Sequence, residues 1–353
     1  MGLHRDGESL GLPPFEVQMR RRLFYQLIPL DGVASQVAGT GMAMTPDTWD
    51  TQPPLNINDD QIWPGMTERP KAQKVATEMV FCLTHACVGK SFVKSKKSMH
   101  RAASGQPKDI EEYERFISEA ENEVEENYIR YCDIVNPLHF LTMCLGRSAI
   151  TAMRIRVRLP KVRDQSITDA GRRELFQLAL KVLDTDAAAC AQMGLRRYMW
   201  LVRPFFAWGS WDSLIFVATS VRRQDGGLSS AESDGAWGRV QQVYDSHGEL
   251  LNMKQALHMA VGRLTLKAWS ANPPSGGVLE PAFIVALRSL LERNSTSGEE
   301  RFASDITTLA GTDVLAPGGP AAWIDADTVS ESSSGDMAFD LGDDFDVDTD
   351  WLF

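Results

Sequence analysis

The stretch IEEYERFISEAENEVEENYIRY, residues 110 to 131, decides the fold class. Ile110, Tyr113, Ile117, Ala120, Val124 and Tyr131 recur at helical spacing, which gathers them on one side of a helix over 108 to 131. Eight glutamates fill the positions between 108 and 131, as expected of a solvated face. Nowhere does the chain offer a comparable set of alternating apolar and polar runs joined by hairpin turns, so no strand is expected.

The same periodicity extends in both directions. Phe15, Met19, Leu23 and Leu27 follow at i+4 steps in FEVQMRRRLFYQLI, residues 15 to 28, and predict an apolar helix side there. Glu16 lies four residues before Arg20, a favourable order for a helical ion pair. Pro29 marks an end or kink. Val75, Met79, Cys82, Leu83 and Ala86 predict a helix over 73 to 99. Asn136-Pro137 reads as an N-cap followed by proline at the first helical position. That helix should end at Leu159-Pro160.

Further helices are predicted over 168–193, 197–222, 235–268 and 281–293, with polar, glycine-rich linkers around 223–235 and 271–279. The reading is an all-α, irregular multi-helix regulatory domain over 1–295, followed by a flexible linker and a disordered acidic tail over 296–353.

The net charge of −11 conceals an uneven distribution. No Lys or Arg follows Arg301, whereas twelve acidic residues do. The remainder holds 36 basic against 35 acidic residues and is close to neutral. In the tail, Phe339, Leu341, Phe345, Val347, Trp351, Leu352 and Phe353 are set among the acids. That interleaving keeps large apolar groups in water and open to a partner, as in acidic activation segments. Phe339, Leu341, Phe345, Trp351, Leu352 and Phe353 are the candidates for coactivator contact.

Reacting groups are not indicated. Five cysteines show neither paired C-x-x-C spacing nor a disulfide framework. In Cys82-Leu83-Thr84-His85-Ala86-Cys87 the two cysteines point about 140° apart on a helix, which suits small core residues better than zinc ligands. His139 and His258 fall on apolar helices as structural histidines, and Gly39-Thr40-Gly41 lacks the lysine and strand of a phosphate loop. No G-x-S-x-G elbow occurs. No catalytic residue, metal ligand or cofactor site is assigned, and an enzyme is not expected. A span of about 20 apolar residues is missing, as is a signal-peptide core, so no membrane partner is expected and a reducing, intracellular setting is. The basic run KSFVKSKKSMHR, residues 90 to 101, fits a solvated helix end, with nuclear import or a phosphate contact as the other reading.

DTWDTQPPLNINDDQIWP, residues 47 to 64, alternates Asn56, Asn58 and Asp60 in the manner of a calcium loop but has neither the turn glycine nor the closing glutamate. A scaffold role fits better: Pro53-Pro54 holds the chain extended, and Asn56 and Asn58 can bond to their own backbone as Asx turns. Successive residues of Arg20, Arg21 and Arg22 point about 100° apart, so one of them faces inward and needs a carboxylate. Asp50, Asp59 and Asp60 are the candidates to supply it.

MGLHRDG, EVQMRRRLFYQLIPLD and DTWDTQPPLNINDDQIWP resemble, in this order, the middle homology region of fungal-specific transcription factors, regulators that usually carry an N-terminal six-cysteine zinc cluster. The resemblance continues through NPLHFLTMCLGRSAITAMRIRVRLP, RRYMWLVRPFFAWGSWDSL and DGAWGRVQQVY, and covers most of residues 1 to 295. Gly209-Ser210, between Trp208 and Trp211, stands where the family tends to have Gln-Trp-His. The chain corresponds to the C-terminal portion of the family's region and does not contain the zinc cluster.

The resemblance implies a nuclear regulator of RNA polymerase II transcription, often of metabolic or biosynthetic-cluster genes, with transcription coactivators as partners. DNA contact would need a further N-terminal domain or a partner, and a homodimer or heterodimer is open. The alternative is a protein that does not bind DNA and acts as an interaction or inhibitory partner of a full-length relative.

Overall fold

A computed structural model describes residues 2–38, 48–102, 107–198, 210–223, 227–252, 256–275 and 279–293. Within helices, the side chains of 32–38, 92–102, 107–111, 163 and 256–257 are outside the description. The acidic tail and its six apolar candidates, the Gly39-Thr40-Gly41 segment and Trp208-Gly209 also lie outside the described residues.

The described residues are helical and contain no strand. In chain order the helices are α1 (Pro14–Ala38), α2 (Val80–Ala102), α3 (Pro107–Asn127), α4 (Pro137–Arg163), α5 (Asp169–Ala191), α6 (Trp211–Arg223), α7 (Ser230–Ser246) and α8 (Ala256–Ala271). A last helix, α9, covers 282–293. The chain packs as two compact units, Met1–Leu214 and Ile215–Phe353, and the division falls inside α6.

In the first unit α4 lies against α2, α3 and α5, and α1 lies against α2. Tyr113, Ile117 and Ala120 of α3 meet Ile150, Met153 and Val157 of α4. Phe81 of α2 joins Leu141 and Cys144 of α4, Ala189 of α5 and Leu195. Phe24 and Tyr25 of α1 meet Met79 and the α2 residues Cys82 and Leu83, with Trp49 set edge-on to the Phe24 ring at 5.2 Å. In the second unit Trp237 of α7 and Trp269 of α8 pack edge to face, and Tyr244 stacks on Phe283 of α9.

Caps explain several boundaries. The Asn136 side chain accepts from the Leu138 and His139 amides, and Pro137 needs no acceptor at the first helical position. α7 opens on a reciprocal capping box between Ser229 and Glu232. That S-x-x-E signal lies within the stretch read as the 223–235 linker, and the helix starts inside it.

Other boundaries differ from the sequence reading. α1 continues through Pro29 and α4 through Pro160, because neighbouring turns and packing carry a helix past one missing donor. α4 then ends in a Schellman motif: Ser166 N–H donates to Lys161 O at 3.0 Å, Gln165 N–H donates to Val162 O at 3.2 Å, and Gln165 takes φ 55°. α2 starts at Val80 rather than residue 73, since the Gln73 and Val75 carbonyls bond the Asn56 side chain and the segment runs through bends and a turn before Val80. The single helix expected over 235–268 is two, broken at His247, where the cap backbone leaves helical geometry and a 3-10 turn Gly248–Leu251 follows. Of the helix expected over 197–222, 197–198 close a 3-10 turn, 211–222 lie in α6 and 199–209 lie outside the described residues.

The apolar side expected for α1 is also reassigned. Met19, Leu23 and Leu30 are exposed, while Val17, Gln18, Arg21, Phe24 and Tyr25 face inward. A buried arginine and glutamine make the true inner face read as polar.

Candidate functional site

The arginine that turns inward is Arg21, 2% exposed. Its carboxylate is Asp6, 3% exposed, on the GLHRDG segment that folds back over α1. Arg21 Nε donates to Asp6 Oδ2 and Arg21 Nη2 to Asp6 Oδ1, both at 2.8 Å. This two-pronged match suits the planar guanidinium. Asp6 also accepts from Gln52 N–H at 2.8 Å and Glu8 N–H at 3.0 Å. Burial pushes the Asp6 carboxyl pKa up, but the Arg21 bonds and the two amides outweigh it and hold the value at about 2.

The expectation that the 47–64 stretch supplies the buried carboxylate is therefore corrected. Asp50 approaches the same knot through backbone and surface: its Oδ1 accepts from Asp6 N–H at 2.6 Å, and its Oδ2 lies 3.2 Å from Arg5 Nε. Asp59 pairs with Arg22 at an exposed site. Asp60 is exposed. Arg20 reaches the Gly2 carbonyl at 2.7 Å. Backbone bonding explains the division: Asp50 N–H to His4 O at 2.9 Å and Thr51 Oγ1 to Leu3 O at 2.6 Å tie residues 50–51 to the turn at residues 3–4. The deepest carboxylate then comes from the segment nearer α1. The spacing R-D-G followed by R-R-R, with Asp6 and Arg21 15 positions apart, is legible in the sequence but has no local signature.

Asn56 acts at longer range than an Asx turn, whereas Asn58 forms a local capping box with Gln61 and also reaches a distant amide. Asn56 Nδ2 donates to the Gln73 carbonyl at 2.7 Å and the Val75 carbonyl at 2.8 Å, and its Oδ1 accepts from Thr77 Oγ1 at 2.6 Å. Asn58 Oδ1 accepts from Glu78 N–H at 3.1 Å. Together they clamp the non-helical 73–78 approach to α2. Their side-chain oxygens are spent on protein donors.

The cysteine candidates lie in core positions. Cys82 belongs to the α1–α2 cluster and Cys87 to a separate one with Val88, Val124, Ile129 and Ala149. Burial pushes the Cys82 and Cys144 thiols up, Cys144 to about 11, and disfavours the thiolate that zinc requires. The five cysteines do not fit a binuclear zinc cluster. His85 is desolvated and its pKa falls to about 4. His139 Nδ1 accepts from Asp133 N–H at 3.0 Å, and burial pushes His258 down. The basic run 90–101 is helical within α2, and its side chains from residue 92 lie outside the described residues.

Over most of its length the chain aligns with an aurofusarin cluster transcription factor of Gibberella zeae, 29% identical across 91% of this chain and 48% of the relative. A pyriculol/pyriculariol biosynthesis cluster transcription factor of Pyricularia oryzae is 28% identical across 88% of this chain and 43% of the relative. A transcriptional regulator of Aspergillus aculeatus is 25% identical across 77% of this chain and 37% of the relative. The chain is related to fungal transcription regulators. It spans about half the length of the first two relatives. No family model matches it, and no solved structure does. Among the described residues no helix is long and apolar enough to cross a membrane.

Proposed function

We propose that this chain is a non-enzymatic part of a nuclear transcription regulator that controls RNA polymerase II transcription of a biosynthetic gene cluster. The observation that carries the reading is the alignment of 91% of the chain with a cluster transcription factor. In this reading the helical body is a regulatory scaffold: its buried Asp6–Arg21 pair and the asparagine clamp hold loops in place and offer no reacting groups. The body binds no cofactor. DNA contact is supplied by a partner, in a homodimer or heterodimer, or by a domain outside these residues.

Residues 302–353 act as the activation segment toward coactivators, since acids spaced among aromatics keep apolar groups accessible. Deleting the gene and sequencing transcripts is expected to silence the genes of one biosynthetic cluster. Unchanged cluster transcripts would overturn the reading. Fused to an unrelated DNA-binding domain, residues 302–353 are expected to activate a reporter, and alanine at Phe345, Trp351, Leu352 and Phe353 to abolish the signal. A silent parent fusion removes the activation role. Steeply salt-dependent gel shifts by this chain alone would show direct DNA contact and overturn the assignment of that contact elsewhere.

A further inference from the structure

The first unit carries an exposed apolar patch that the scaffold does not explain. Ile134 is 63% exposed, Val135 79% and Met193 66%. They come from two segments brought together at the start of α4: a β-carbon placed on Gly194 would lie 2.9 Å from the Pro137 ring. Leu195 fixes the orientation of the second segment, because it is fully buried against Phe81 and Leu141. In a 3-10 turn residues three apart eclipse, so Met193 and Arg196 of Met193–Tyr198 share the outer side.

Two arginines and one carboxylate, Asp133, flank the patch. Arg196 and Arg197 are exposed and have no carboxylate partner among the described residues, and Arg197 lies over the Tyr198 ring at 4.7 Å. Asp133, on the opposing loop, is turned to its own backbone and accepts from Val135 N–H at 2.9 Å. Flexible Met and branched aliphatic groups next to arginines make a surface that takes apolar anchors and carboxylates together.

We propose that Ile134, Val135, Met193 and Arg196 form a docking surface for an acidic segment of a partner protein that carries large apolar side chains. The apolar groups of that segment would cover the Ile134–Val135–Met193 patch, and its carboxylates would meet Arg196 and Arg197. This surface is independent of the activation role given to the tail.

The test measures binding of a fluorescein-labelled synthetic peptide of about 15 residues, alternating aspartate with Phe and Leu, to the full 353-residue chain by anisotropy. Binding is expected, with a loss of about tenfold or more in the Val135→Asp, Met193→Ser and Arg196→Glu variants, each checked for unchanged helicity and melting. An Asn-for-Asp version of the peptide should bind more weakly to the parent and equally to Arg196→Glu. No binding, or equal binding by all variants, would overturn the proposal. So would a change in oligomeric state of the Met193→Ser variant on ultracentrifugation, which would assign the patch to a second copy. Binding of anionic lipid vesicles in preference to the peptide would assign it to a membrane surface and likewise overturn it.

Discussion

Asp6 has four donors on one buried carboxylate: Arg21 Nε and Nη2, and the Gln52 and Glu8 amides. Its folded pKa of about 2 lies below the ordinary 3.8, so its stabilising contribution is present above pH 3.8 and is lost as pH falls through about 2. Denaturant midpoints measured across that window should fall with acid in the parent and fall less in Asp6→Asn. At neutral pH, Asp6→Asn leaves the buried Arg21 with only Glu8, whose Oε2 lies 3.3 Å from Nη2 on a 42% exposed side chain, and should cost about 3 kcal/mol in urea unfolding. A second residue-scale prediction comes from Gln165, which holds φ 55° at the Schellman position of α4. Gln165→Gly removes the side-chain penalty of that conformation and should stabilise the chain by about 1 kcal/mol, read as a higher unfolding midpoint.

Among elements, α3 and α4 show how one residue type serves two purposes. By periodicity the eight glutamates of the 108–131 stretch belong to a solvated face, yet three of them are interface residues. Glu125 pairs with Arg147 at 2.7 Å, Glu121 with Arg154 at 2.6 Å and Glu114 with Arg158 at 2.7 Å. Periodicity separates apolar from polar sides but cannot tell a carboxylate facing water from one facing a neighbouring arginine. The same limit applies to α1, where Arg21 and Gln18 sit inward and Met19 and Leu23 outward. At the junction of the Met193–Tyr198 turn with α4, Gly194 leaves no room beside Pro137. Gly194→Val should destabilise by about 1–3 kcal/mol, measured by thermal unfolding, because the ring cannot rotate away.

At the scale of the whole molecule, charge is divided along the chain. Removing residues 302–353 takes away twelve acids and no base, which changes the net charge from −11 to +1. Isoelectric focusing should therefore move from about 5.1 to near neutrality, and the solubility minimum should follow. The all-α class, the Asn136 cap and the charge asymmetry are legible from residues a few positions apart or from plain composition. The sequence also contains the Ser229–Glu232 box, whose spacing is a local signal that the linker composition obscures. Only the tertiary structure decided that Asp6, rather than Asp50, Asp59 or Asp60, neutralises Arg21, and which side of α1 is covered. The physical reason is that a helical repeat fixes relative directions within one segment. The counterion of a buried charge depends on which distant loop closes over it, and that is set by backbone bonds such as Asp50 to His4, far apart in the chain.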